Sequence, residues 1–257
     1  MTVRDIIDKR ALEAIVARTK RSSARAEFLL ERICLDIEER LETHTRKFAS
    51  KALISPWSDY DGFQFLDADT FSDSVWLDER FVVQPESFEL VVDAVNLHRI
   101  NDVPGMLVQY KRALKPDGLF IACVPGGDTL TELRQSLTHA ESELFGGVHP
   151  RVLPFMDVRD AGALLQRAGF ALPVADVDSV VVRYDTMFYL MLDIRAMGET
   201  SPLADRPKHL TTAKLFERAA IHYSENFGDP DGRVRATFSF VWMSGWAPDA
   251  SQQKPLK

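Results

Sequence analysis

The sequence predicts an α/β fold whose mostly parallel sheet is covered by helices on both faces, and three observations predict it. Residues 90–95 and 119–124 are apolar throughout but for Asp93, as strands buried on both faces require. Residues 103–114 between them carry a helical pattern, ended by Lys115-Pro116-Asp117-Gly118, where proline stops the helix and Asp-Gly turns the chain. Helical and strand-like periods then alternate through the rest of the chain.

The leading 50 residues read as helix. Phe28, Leu29, Ile33, Ile37 and Leu41 form an apolar stripe at helical spacing, with Glu31, Arg32, Glu38 and Glu39 on the other side. The basic cluster from Arg18 to Arg25 marks a joint between a short helix and this longer one, and its charges read as a solvated face. Short apolar runs at 52–54, 63–66 and 75–77 read as further strands ahead of those at 90–95 and 119–124. Residues 128–145 read as a helix with Asp128 or Thr129 as its N-cap and Gly146-Gly147 beyond its end. Asp157 caps another helix, which closes at Ala168-Gly169. Residues 177–184 alternate as a strand, 186–197 and 211–227 return to helix, and 235–243 read as a late strand. The expected organisation is N-terminal helices over 1–50, one α/β domain over 51–246 and an extended tail over 247–257.

Composition narrows the function. The 257 residues are 46% hydrophobic and 27% charged, ordinary for a chain with a sizeable core. A net charge of −7 offers no basic face for nucleic acid. Cys34 and Cys123 both fall in apolar patterns and read as buried free thiols of a reducing compartment, without disulfide or metal. No apolar run reaches the roughly 20 residues of a membrane helix. The segment MTVRDIIDKRALEAIV mixes acids with bases and reads as neither a secretory signal nor a transit peptide, so a cytoplasmic location is expected. Of 13 glycines only Gly62 lies in the leading 104 residues, and no G-x-G occurs. Glycine-rich phosphate cradles are therefore absent, because both the P-loop and the dinucleotide fingerprint need backbone to reach an anion without a Cβ in the way.

The stretch FELVVDAVNLHRINDVPGMLVQYKRALKPDGLFIACVPGGDTLTELRQSL at 88–137 resembles the fourth-strand to post-fifth-strand region of class I S-adenosylmethionine (SAM) methyltransferases. Together with PFMDVRDAGALLQRAGF, DIRAMGE and the tail DPDGRVRATFSFVWMSGWAPDASQQKP, it is most similar to the type 11 branch. That branch includes malonyl carrier-protein methyltransferases of biotin synthesis and bacterial relatives of a complex I assembly factor that hydroxylates an arginine. The resemblance implies a Rossmann-like methyltransferase sheet of seven strands with the last antiparallel. It also implies SAM over the carboxyl ends of the strands, and a protein or carrier-bound substrate.

Site residues follow from the same resemblance. Asp67 or Asp69, at the end of FQFLDAD, matches the acid that takes the ribose hydroxyls, since a carboxylate accepts two hydrogen bonds at once; an Asx-type turn is the other reading. Asp78 falls where the family has an acid near the adenine amino group, or it lies in a surface loop. Asp93, Asn96 and His98 follow the fourth strand and would face the reacting centre, with His98 and Asp93 as the catalytic pair; a lone histidine is otherwise structural. Arg183, Tyr184, Met187, Phe188 and Arg195 fall in the substrate-covering region, about 183–227, or in plain core.

One segment departs from the family. At KALISPWSDYDGF the loop glycines are replaced by Pro56, Trp57 and Ser58, and the expected acid by Ile54 or Ser55. Only seven residues, Pro56 to Gly62, separate Ser55 from the apolar run at 63–66, whereas parallel neighbours need a crossover of roughly ten to twelve. Either the crossover helix is missing or those two runs do not pair. Three functions follow: an active methyl- or hydroxyl-transferring enzyme, a degenerate member that has lost SAM and serves as an assembly scaffold, or a small-molecule binder reusing the cleft. Trp57 and Trp76 flank that cleft and could fill it.

Overall fold

The computed structural model describes residues 5–22, 26–57, 59–207 and 211–252. Among these residues the strands form a single six-stranded sheet, ordered β2-β1-β3-β4-β6-β5. The strands are β1 (Lys51–Ile54), β2 (Asp69–Phe71), β3 (Phe88–Ala94), β4 (Leu114–Pro125), β5 (Ala171–Tyr184) and β6 (Val234–Trp246). β1 is parallel to β2 and β3, and β3 to β4. β6 runs antiparallel to β4, from Leu119 opposite Trp246 to Pro125 opposite Phe240. This is the expected α/β architecture with its late antiparallel strand, one strand short of seven: the segment resembling the family's fourth strand is here the third.

The helices are α1 (Lys9–Arg21), α2 (Phe28–Glu42), α3 (Asp73–Asp78), α4 (Val103–Ala113), α5 (Thr131–Phe145), α6 (Val158–Ala168), α7 (Met187–Ala196) and α8 (Ala213–Phe227). By contact the chain divides into two compact units, each assembled from separate stretches of sequence. One comprises residues 28–126, 156–178 and 240–257; the other comprises 1–27, 127–155 and 179–239.

In the unit containing β1 to β4, the central strands β3 and β4 have almost no exposed residue. Leu90, Val91 and Ala94 of β3, and Phe120, Ala122, Cys123 and Val124 of β4, are fully buried. Continuous apolar runs produce this because each face of the strands is covered. α2 lies on the sheet through Leu29, Ile33, Cys34 and Ile37, while Phe28, read as part of the stripe, stays exposed. Arg40 fixes this helix by a two-pronged pair with Asp176 at 2.6 and 2.9 Å, its guanidinium 4.4 Å from the Trp242 ring. α4 starts on Asp102, whose carboxylate accepts the Gly105 N–H at 2.9 Å. α6 starts on Asp157, as the sequence predicts, and ends on Gly169 at φ 82°.

Four expectations change. Residues 63–66 are not a strand: they lie in a 3-10 helix, Asp61–Leu66, in which Phe63 and Leu66 are the buried positions. A spacing of three fits one face of such a helix, and alternation does not. That helix is itself the crossover, so the second strand is β2, and residues 55–68 carry the chain between parallel neighbours. Residues 75–77 belong to α3, a run too short for periodicity to separate strand from helix. Lys115-Pro116-Asp117-Gly118 lies inside β4, where the register with β3 shifts between Phe88 and Leu90 and Asp117 takes φ 57°. Finally, α5 starts at Thr131, because the Thr129 hydroxyl is turned to Ser239, donating to its carbonyl at 2.7 Å and accepting its N–H at 3.0 Å.

The other unit packs α5 against α8, with Tyr223 donating to the Arg235 carbonyl at 2.8 Å and Glu132 accepting the Thr237 N–H and hydroxyl. Glu141, its side chain almost wholly buried, accepts the His149 N–H at 2.7 Å and pairs with Arg151 at 2.8 Å.

Candidate functional site

The parallel part of the sheet has one place where a ligand is expected on topology alone. The chain leaves β1 outward to β2 and then returns across β1 to β3, so the crossovers from β1 and β3 diverge. Open α/β sheets bind ligands in the crevice outside the carboxyl ends at such a switch point. At this edge the chain contributes the turn Ser55–Trp57 after β1 and the turn 95–99 after β3.

After β1, buried Ser55 donates its N–H to the Phe71 carbonyl at 3.1 Å, and its hydroxyl accepts the Trp57 N–H at 3.1 Å. Serine thus closes by side-chain hydrogen bonding a turn that would otherwise ask for glycine. Trp57 is half-buried, and Trp76 is buried in α3.

After β3, one carboxylate organises the turn. Asp93 is fully buried and level with Ile54 of β1. Its Oδ1 accepts the N–H groups of Asn96 and Leu97, both at 3.1 Å. Its Oδ2 accepts Asn96 Nδ2 at 3.0 Å and the Tyr110 hydroxyl at 2.6 Å. Burial pushes the Asp93 carboxyl above its usual range, against the pull of those four donors, and burial beside Asp93 also raises the Tyr110 hydroxyl. The network holds Val95 at φ 54°, a left-handed conformation that costs a β-branched residue roughly 1–3 kcal/mol. Its N–H goes to the Cys123 carbonyl at 2.9 Å. Asn96 is fully buried, and its Oδ1 has no hydrogen-bond partner among the described residues. His98 follows, half-buried, in the 3-10 turn Leu97–Arg99.

The structure therefore brings Asp93 and Asn96 together and places His98 two residues beyond them. Asp67 and Asp69 are exposed and sit at the amino end of β2, Asp67 in a left-handed turn after the 3-10 helix and Asp69 level with Ala52. Asp78 is the exposed last residue of α3. Its neighbour Glu79 accepts the N–H groups of Asn101 and Asp102 at 2.8 and 2.9 Å, ahead of α4. The acid that follows the carboxyl end of β2 is Asp73. The crossover rule could have found it: a second strand at least ten residues beyond Ile54 has to begin after the run at 63–66. Tyr110 gave no signal, because a tyrosine in an amphipathic helix reads as core.

Among the described residues no group of three or more His, Cys, Asp or Glu side chains is arranged to hold a metal ion. Among the same residues no helix is long and apolar enough to cross a membrane.

No family model matches the sequence. The chain is 44% identical over 184 residues to the mitochondrial arginine-hydroxylase NDUFAF5 of Danio rerio, covering 71% of this chain and 57% of that protein. To the human protein of the same name it is 44% identical over 185 residues, covering 72% and 53%. It is 33% identical over 178 residues to a malonyl-[acyl-carrier protein] O-methyltransferase of Laribacter hongkongensis, covering 69% and 57%. The chain thus spans just over half the length of the curated relatives it matches. Among solved structures, a Bacillus halodurans protein assigned to the methyltransferases superposes with a TM-score of 0.52 at 14% identity, over 83% of this chain and 99% of that one. At that identity the likeness is one of fold.

Proposed function

We propose, from the premise that this chain is a sequence relative of the arginine hydroxylases and malonyl-carrier methyltransferases and has the methyltransferase fold, that it is a SAM-dependent enzyme. Its reaction transfers a methyl or hydroxyl group to a protein or carrier-bound substrate, in the setting of respiratory complex I assembly. The observation that carries this reading is the switch point between β1 and β3, whose carboxyl edge presents the buried, unpartnered Asn96 Oδ1.

The residues at this edge fit the adenosine half of SAM. Asn96 offers an acceptor that nothing in the protein satisfies, suited to a hydroxyl or amino donor. The methionine half finds serine, proline and tryptophan where glycines are expected, so it must be held by side chains and by the Ser55 turn. SAM supplies a methyl group on a sulfonium, and the protein's task is then to hold the acceptor in line with it. Asp93 is the positioning residue: it fixes the turn that carries Asn96 and His98. His98 is the group at this edge able to take a proton from the acceptor. The buried, free thiols Cys34 and Cys123 support a reducing compartment such as the cytoplasm.

Calorimetry and thermal-shift titration with SAM and S-adenosylhomocysteine test this. A dissociation constant near 100 μM predicts about 1.4 kcal/mol of stabilisation at about 1 mM ligand, a shift of roughly 3–6 °C. Asn96→Ala should weaken binding about tenfold. The absence of any shift up to millimolar ligand would overturn the enzyme and leave the assembly scaffold.

A further inference from the structure

A second cleft, of ≈ 520 Å³, lies within the unit built on α5 and α8. Its volume is that of a small-molecule site. One wall is apolar, with Leu130, Leu133, Leu137, Phe188, Leu192 and Phe216 among its residues. Phe188 and Leu192, on α7, are 45% and 59% exposed, so this apolar surface opens to solvent.

The remaining lining is polar and carries net positive charge: Arg18, Arg151, Arg195, Thr200 and Ser201, with Glu199 as the only carboxylate among the described lining residues. Arg151 has its charge met by Glu141 at 2.8 Å. Arg18 and Arg195 have no such partner. Arg18 donates through Nη2 to the Thr200 hydroxyl at 3.0 Å, but pairs with no carboxylate among the described residues. Arg195 likewise pairs with none among the described residues, and Glu199 has a partner of its own. Burial above all, with the like charge of neighbouring Arg195 adding to it, weakens the hold of Arg18 on its proton. Arg18 Nε and Ser201 Oγ, like Arg151 Nε, are buried with no hydrogen-bond partner among the described residues. Buried donors of this kind are rare unless something outside the chain satisfies them.

We propose that this cleft binds a long-chain carboxylate, its apolar chain against the leucine and phenylalanine wall and its anionic head between Arg18 and Arg195. The carboxylate accepts from the unmet Arg18 Nε–H and the Ser201 hydroxyl, and its charge relieves the repulsion between the two guanidiniums. A cationic head is excluded by the same pair, and a neutral head leaves the repulsion in place. The lining takes no residue from the sheet edge.

Titration calorimetry of the full chain, without SAM, with dodecanoate, dodecanol, dodecyltrimethylammonium and acetate tests the assignment. Saturable dodecanoate binding is expected at tens of micromolar, with at least tenfold weaker binding of the other three. Arg18→Gln and Arg195→Gln should each weaken dodecanoate about tenfold and leave dodecanol unchanged. Leu192→Glu, at an exposed position that does not threaten folding, should repel the carboxylate and weaken it by more than tenfold. Equal binding of dodecanol or the ammonium, no saturable binding of dodecanoate up to about 1 mM, or arginine variants of unchanged affinity would each overturn it. Loss of dodecanoate binding with SAM binding intact would sink this site alone.

Discussion

Replacing Tyr110 by phenylalanine removes one oxygen from the core and nothing else. The ring keeps its packing against Phe81 and Phe120, at centroid distances of 5.3 and 5.6 Å. What is lost is the 2.6 Å hydrogen bond to Asp93 Oδ2, between two groups that are fully buried, together with a longer one of 3.4 Å that the hydroxyl accepts from Asn96 Nδ2. A hydrogen bond to a charged partner contributes about 1.5–3 kcal/mol, and the isosteric ring leaves no cavity to add to it. For a chain of this length the expected drop in Tm is roughly 3–12 °C. The pH dependence gives the sharper test. Burial holds the Asp93 carboxyl above its usual range, so its contribution to stability is complete below the unfolded carboxyl's pKa and is lost as pH rises through the folded one. Tyr110 is one of the donors that restrain that rise, so the variant's carboxyl climbs further and its deficit widens with pH. Urea unfolding followed by circular dichroism, at about pH 5 and about pH 8, should show the larger deficit at the higher pH. An equal loss at both, or a loss under about 0.5 kcal/mol, would refute the assignment of Asp93 as the buried anchor of the β3 turn.

Two further outcomes follow from the same reasoning. Although Glu141 is buried, donation from His149 and Arg151 outweighs that burial and holds its carboxyl below the usual range. Its contribution is therefore present above the unfolded carboxylate pKa and lost as pH falls through the folded one, so Glu141→Gln should flatten the acid limb of a Tm-against-pH curve; an unchanged limb would count against the cluster. At Gly245 an added Cβ would stand 2.8 Å from the Phe170 Cβ. Gly245→Ala should cost about 1–3 kcal/mol by overpacking, read as a lower urea midpoint at constant m, and a neutral result would mean that β6 and Phe170 are not in close contact.

Where one rule dominates, the sequence was readable. Leu90 and Phe120 sit in runs that only a doubly covered strand tolerates, and β3 and β4 lie there. Asp157 and Gly169 bracket α6 because cap chemistry is local. Short apolar runs misled, since Phe63 and Leu66 bury one face of a 3-10 helix as readily as a strand would bury two residues. That single shift of strand moved Asp67 and Asp69 to the amino end of β2. Nor could spacing show that Thr129 faces Ser239, 110 residues away, and so is lost to α5 as a cap. The anchoring of Asp93 by Tyr110 depends on the same kind of long-range placement, with no local signature.

Before residue 105 the described left-handed residues are Asp67, Glu79, Glu86 and Val95, and none is glycine. A side chain in that conformation is strained when folded, yet it has far fewer shapes to give up than glycine when the chain orders. Turns made this way are stiff. The turn after β3, where Val95 is the left-handed residue, therefore has its shape set by the fold, and under the reading of this edge as a SAM site its specificity would rest on fit to a rigid template, where a glycine loop would adapt by folding around its guest.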